Sequence, residues 1–352
     1  MTGVRACRFA DGLVVDRGGS APLLLLDAAG RAAWQALDAG RPPAADPATL
    51  DAVRAARRPA APAAATPVPR IRRAWRPRRR RYAFAGRVVT LDCADAELAR
   101  LIHPRLAHGE TDAPATATLR LRRTAGGFVL LEAGRPAEHH ARAEALLGAT
   151  MRRLVELGRG TTGWSAVLHA AAVADGAGGA LVLPGACGRG KSTLTAALVG
   201  AGAAYLSDDC VPLDAAGRAV AVPFGICLKA SGWAAAEAVL PEAATAPVFP
   251  CAERGPCRYV APRRVADRPL PLAAFVFPSH APGAPLALAP LRPEATLAAL
   301  VAGRAWLSRE PEALATALAT IERTPAWRLD YGTTADALAA IADLAAARRA
   351  AE

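Results

Sequence analysis

The sequence predicts an α/β fold with a mixed sheet, preceded by a small N-terminal unit, and three observations carry that prediction. A glycine-rich loop at residues 185–192 lies between an apolar run, Ala180-Leu-Val-Leu-Pro184, and a stretch of helical spacing at 193–199. Just ahead of it, a β-like run at 165–174 returns through the Gly-rich turn 175–179, so two strands meet antiparallel before the loop, unlike an ordinary doubly wound nucleotide fold. Beyond the loop, short β runs alternate with Pro-rich segments, and Ala/Leu spacing predicts helices at 293–301, 311–322 and 334–351.

Taken in order, residues 1–57 form a first unit, in which an apolar run at 23–26 precedes a stretch at 28–39 with Trp34 and Leu37 at helical spacing. Its segment Pro22-Leu-Leu-Leu-Leu-Asp-Ala-Ala-Gly-Arg-Ala-Ala-Trp-Gln-Ala-Leu loosely resembles the small winged-helix peptide-binding modules of peptide-modification pathways. Residues 58–81 read as a linker, Pro/Ala-rich to position 69 and then strongly basic. Residues 82–159 read as an α+β lead-in, with strands at 82–91, 117–123 and 127–132 and helices near 94–102 and at 137–157. The loop-bearing unit occupies 160–352, with a strand ending at Ala204-Tyr-Leu-Ser-Asp208-Asp209, β runs at 219–224 and 272–278, and a helical C-terminal part.

Composition narrows the classes of function. At 352 residues and 53% hydrophobic content the chain can bury a sizeable core. No apolar stretch reaches membrane-spanning length, and the first ten residues contain no signal-peptide core. Seven cysteines without C-x-x-C spacing read as reduced thiols, so the expectation is a cytoplasmic protein without a membrane partner. The formal charge of +12 invites a nucleic-acid reading, but eight positive charges fall between Arg70 and Arg81, and without them the net is +4. Neither zinc-finger spacing nor an aromatic RNA-binding motif accompanies these arginines, so the run reads as a solvated basic linker.

The loop itself, Gly185-Ala186-Cys187-Gly188-Arg189-Gly190-Lys191-Ser192, fits G-x-x-x-x-G-K-[ST] in its strand and helix context, with Thr193 next. Glycines let successive backbone N–H groups point at one anion, and the helix N-terminus adds positive potential. Lys191 would reach the β/γ-phosphates of a nucleotide such as ATP, and Ser192 would ligate Mg²⁺. Of 43 basic residues only Lys191 and Lys229 are lysines, so an arginine-biased chain keeps lysine where the loop wants a compact charge.

Phosphoryl transfer also needs a carboxylate for the metal and a group to orient or deprotonate the attacking oxygen. Asp208 and Asp209, 17 residues after Lys191 at the end of an apolar strand, supply two carboxylates, one for the metal and one as base. His169, in the strand before the loop, would orient Asp208 if the hairpin folds it there. Lys229, Arg258, Arg263 and Arg264 are further cationic candidates.

His169, the Gly-rich turn, the loop through Thr193, its helix and the strand Ala201-Gly-Ala-Ala-Tyr-Leu-Ser-Asp-Asp209 together resemble the HPr kinase/phosphorylase-related serine kinases. The resemblance runs from about Trp164 to Val211, more loosely from Tyr82 to Ala342, and does not include residues 1–80. It implies a phosphoenolpyruvate-carboxykinase-like P-loop nucleotide-binding fold, ATP with Mg²⁺, and γ-phosphoryl transfer to a serine of a peptide or protein. Carried across, residues 185–193 are the phosphate loop, Asp208 the base, Ser192 and Asp209 the metal-side ligands and His169 a support for Asp208. The second signature region of the sugar-regulation enzymes is absent after Asp209, so the divergent branch that includes kinases of ribosomally made peptides is the nearer likeness. The competing expectation is a nucleotide-binding regulatory ATPase with no phosphorylated acceptor. The oligomeric state is left open, a homo-oligomer included.

Overall fold

A computed structural model of the chain describes residues 4–17, 23–59, 78–159, 163–186, 188–251 and 255–351. At its centre is a six-stranded mixed sheet in the order Tyr205–Ser207, Ala170–Ala174, Ala180–Pro184, Leu272–His280, Ala326–Tyr331 and Ala287–Leu291. The three strands 180–184, 272–280 and 326–331 run parallel, and the flanking pairings are antiparallel. The hairpin expected ahead of the loop is there: Ala170 to Ala174 pairs in register with Pro184 to Ala180.

Period-two alternation decides which face each side chain serves. Ala170, Ala172, Ala180 and Val182 pack with Leu297, Leu300, Leu314 and Leu318 of the helices Pro293–Ala302 and Pro311–Arg323. Ala171, Val173, Leu181 and Leu183 point the other way, onto Leu194, Leu198 and Ile341 of the helices Lys191–Gly200 and Thr334–Ala351. Both faces are therefore covered, which is why these strands read as continuous apolar runs.

The predicted strand at 165–174 is in fact two. Ala166–Leu168 belongs to a small sheet between Val211–Leu213 and Trp306–Leu307, Ala170–Ala174 belongs to the central one, and His169 sits where the chain passes between them. The predicted run at 219–224 is buried but forms only isolated bridges through Ala219.

The lead-in is a five-stranded sheet in chain order, Arg78–Phe84, Arg87–Cys93, Ala117–Thr124, Gly127–Glu132 and Arg135–His140. Its one parallel pairing, between the second and third strands, is bridged by the helix Ala96–Leu106, and the helix Ala143–Arg159 packs on the same core. Two expectations are corrected here. The strand placed at 82–91 is a hairpin turning at Ala85 and Gly86, both in the left-handed region, and the helix placed from 137 starts at Ala143, because 135–140 pairs with 127–132 through a turn at Ala133 and Gly134.

The basic run is corrected as well. Residues 60–77, most of the proposed linker, lie outside the described residues, but Arg78 to Arg81 belong to an edge strand. Arg79 faces Asp92 at 3.5 Å, Arg80 pairs with Glu110 at 2.7 Å, and Arg81 donates to the Asp112 carbonyl at 2.8 Å. The expected linker boundary at 81 therefore moves to 77 or earlier.

Residues 5–56 form a three-stranded antiparallel sheet, Arg5–Phe9, Gly12–Asp16 and Leu24–Leu26, with the helices Ala28–Asp38 and Pro47–Ala56. Asp27 and Asp46 cap the helices by accepting from Gly30 N–H and Thr49 N–H. The unit has its own core around Trp34 and Val53, yet Phe9 and Val14 pack into the central core, and Asp16 pairs with Arg309 at 2.7 Å. Phe9 is fully buried, so Phe9→Ala should lower stability by about 3–5 kcal/mol through lost burial and the cavity left behind. A urea midpoint unchanged by that substitution would show that this sheet is not docked in solution.

Candidate functional site

The glycine-rich loop leaves the strand Ala180–Pro184 and enters the helix Lys191–Gly200 through Gly190, whose φ of 89° is left-handed. A Cβ at position 190 would also stand 2.4 Å from the Tyr331 hydroxyl and 3.1 Å from His280 Cβ, so glycine is required by backbone and by space. Gly188 is likewise left-handed, at 88°. Cys187 lies outside the described residues. Lys191 is 8% exposed and folds back, its Nζ donating to the carbonyls of Gly185 at 2.5 Å and Ala186 at 3.0 Å. The cation is thus stored inside the loop it would serve. Arg189 is exposed and reaches the Ser279 hydroxyl at 3.4 Å.

Asp208 and Asp209 follow directly on the strand Tyr205–Ser207, where the extended backbone ends. Their surroundings differ. Asp208 is 5% exposed; its Oδ2 accepts from Cys227 N–H at 2.7 Å, and its Oδ1 is buried without a hydrogen-bond partner. Burial pushes its pKa up to about 7, with the Asp209 charge adding to the rise, while the Cys227 N–H, the Ser192 hydroxyl and the Lys191 ammonium pull it back. Asp209 is about one-third exposed.

His169 does not contact Asp208 as expected. Its Nδ1 lies 3.2 Å from the Asp209 carbonyl and 3.4 Å from Asp209 Oδ1, because the break in the strand at 169 sets the imidazole against the bend at 209 rather than against the strand end.

Lys191, Ser192, Thr193, Asp208, Asp209, His169, Gly188 and Gly190 all line one cavity of about 370 Å³, which Lys229 also borders. Sequence reading missed four of its other walls: Arg105, Tyr259, His280 and Tyr331. They come from segments remote in the chain and carry no local motif. The arginines that it did put forward are engaged elsewhere. Arg258 pairs with Glu237 and stacks over Trp233, Arg263 pairs with Glu242, and Arg264 donates to the Gly202 carbonyl at 3.0 Å.

The donor set suits a hard cation. Ser192, Asp208 and Asp209 offer oxygen only, one carboxylate oxygen is buried and unpartnered, and no cluster of three or more His, Cys, Asp or Glu occurs among the described residues. A metal here would draw its remaining ligands from phosphates and water, as Mg²⁺ usually does. No helix among the described residues is long and apolar enough to cross a membrane. No family model matches the chain, and no curated protein sequence matches it.

Proposed function

We propose that the chain is an ATP-dependent kinase that transfers the γ-phosphoryl group to a serine or other hydroxyl of a peptide or protein, on a phosphoenolpyruvate-carboxykinase-like P-loop fold. The observation that carries this reading is the buried, unpartnered Oδ1 of Asp208 in the same cavity as a glycine loop that ends at Lys191 and Ser192. The hairpin ahead of the loop, antiparallel where a doubly wound fold has parallel strands, supports the fold assignment.

In this reading the N–H groups of the loop and the helix N-terminus bind the phosphates, and Lys191 exchanges its carbonyl partners for phosphate oxygens. Ser192 and Asp209 would hold a Mg²⁺ ion, which would neutralise charge on the phosphates. Asp208 accepts the proton of the acceptor hydroxyl. A base whose pKa lies near 7 is well matched to that transfer, because it is substantially ionised at neutral pH and still basic enough to take the proton. His169, against the Asp209 carboxylate and carbonyl, positions Asp209 rather than the base.

The test is incubation of the chain with γ-labelled ATP, Mg²⁺ and pools of host peptides and proteins, followed by mass spectrometry. A stable phosphoester on an acceptor supports the kinase, whereas free phosphate alone supports a regulatory ATPase. Ser192→Ala should weaken nucleotide binding in the presence of Mg²⁺ and leave metal-free binding nearly unchanged. Titrations with and without EDTA separate the two.

A further inference from the structure

The cleft continues beyond the carboxylate pair. A second cavity, of about 650 Å³, shares Arg105, Met151, His169, Asp209 and Tyr259 with the first and runs away from the phosphate loop. Its walls are the helices Ala96–Leu106 and Ala143–Arg159 and the turn that leads into the strand Trp306–Leu307. Leu101, Leu147 and Met151 give it an apolar part, and Trp306 is left 45% exposed at its edge.

Its charges are unequally matched. Every acid in the wall is already engaged: Glu97 with Arg123, Glu138 with Arg152 and His140, and Asp209 with His169. Of the four arginines in the wall, only Arg152 is paired with a carboxylate. Arg105 stacks over Tyr259 and donates to the Leu101 carbonyl, while Arg100 and Arg304 are exposed and have no carboxylate partner among the described residues. Arg304 also occupies the position just past the helix Pro293–Ala302 where the chain turns left-handed, at φ 65°, with the N–H groups of 304 and 305 returning to the carbonyls of Val301 and Leu300. Glycine is the usual residue there, so this chain tolerates backbone strain and keeps a cation at the mouth of the groove.

We propose that this groove holds the polypeptide flanking the phosphorylated serine, and that the acceptor segment carries acidic side chains next to an apolar one. The proposal rests on the kinase reading. The apolar side chain would lie on Leu101, Met151 and Trp306, the acidic ones would meet Arg100 and Arg304, and the serine would sit at the shared residues His169 and Asp209. Transfer then forms the bond from serine Oγ to the γ-phosphorus and breaks that phosphorus's bond to the bridging oxygen of ADP. The serine proton passes to Asp208.

The experiment uses the full chain and fluorescein-labelled synthetic nonapeptides with a central serine and a leucine, flanked by Asp/Glu, by Ala or by Lys. Anisotropy with a non-hydrolysable ATP analogue reads binding, and mass spectrometry with ATP reads transfer. Acidic peptides should bind about tenfold or more tighter than the lysine set at low salt, and Arg100→Glu combined with Arg304→Glu should abolish or reverse that preference without changing affinity for the nucleotide analogue. Arg304→Gly, which removes the charge while relaxing the backbone, should weaken acidic-peptide binding in a chain that stays folded. Equal binding of all three peptide sets, or a preference that survives charge reversal, overturns the proposal. Acidic-selective binding without transfer supports the groove and sinks the kinase reading, and transfer indifferent to charge does the opposite.

Discussion

Asp208→Asn is expected to melt higher than the parent chain at pH 8 and to lose phosphoryl transfer. The ordinary carboxylate value is 3.8, and burial carries that of Asp208 to about 7 in the folded chain. Below both values the group is neutral folded and unfolded, and its contribution to stability is complete. Between them only the unfolded chain ionises, so stability falls as pH rises through this window, and the loss is complete above about 7. At roughly 1.4 kcal/mol per unit the difference is on the order of a few kcal/mol. An asparagine oxygen can still accept from Cys227 N–H, so the amide removes the buried charge without orphaning that donor. Thermal melts in EDTA should show the variant several degrees above the parent at pH 8 and level with it near pH 4. A variant no more stable than the parent at pH 8 would refute the buried-charge account. Transfer should drop by ~10²–10⁴-fold, the usual contribution of a general base, with nucleotide binding retained.

Lys191→Ala should abolish productive ATP use. In the parent, Nζ crosses the loop to the carbonyls of Gly185 and Ala186, so one side chain both draws the loop closed and stores the charge that phosphates would take up. Alanine leaves those carbonyls without the Lys191 donor and, in the proposed reaction, would remove a charge that meets developing negative charge in the transition state. The loss should be on the order of 10²-fold or more in kcat, alongside weaker nucleotide binding. Full ATP-dependent activity in Lys191→Ala would refute the phosphate-loop assignment.

What the sequence disclosed and what it concealed divide along the range of the interactions. The loop at 185–192 was legible because its requirements are local: glycines at left-handed positions, a lysine and a serine at a helix start. The adjacency of Asp208 and Asp209 to a strand end was legible for the same reason. The partner of His169 was not, since the strand predicted at 165–174 looks uniform in sequence and its division between two sheets depends on segments near 211 and 306. The strand at Arg78–Phe84 was hidden by its charge. Its alternation of exposed Arg79, Arg81 and Ala83 with less exposed Arg80, Tyr82 and Phe84 is regular, but arginine clusters read first as solvated. Arg105, Tyr259, His280 and Tyr331 reach the cavity by tertiary packing alone.

The docking of Phe9 and Val14 into the central core alters what residues 60–77 do thermodynamically. They connect two bodies that already touch, so they close a loop instead of setting the reach of a tethered module. The chain severed between 59 and 78 should remain one particle at protein concentrations above the dissociation constant of the two halves. A partner recognised by residues 5–56 would therefore be met at a fixed bearing to the cavity that Lys191 and Asp208 line, and lengthening the connection would not widen the set of partners within range.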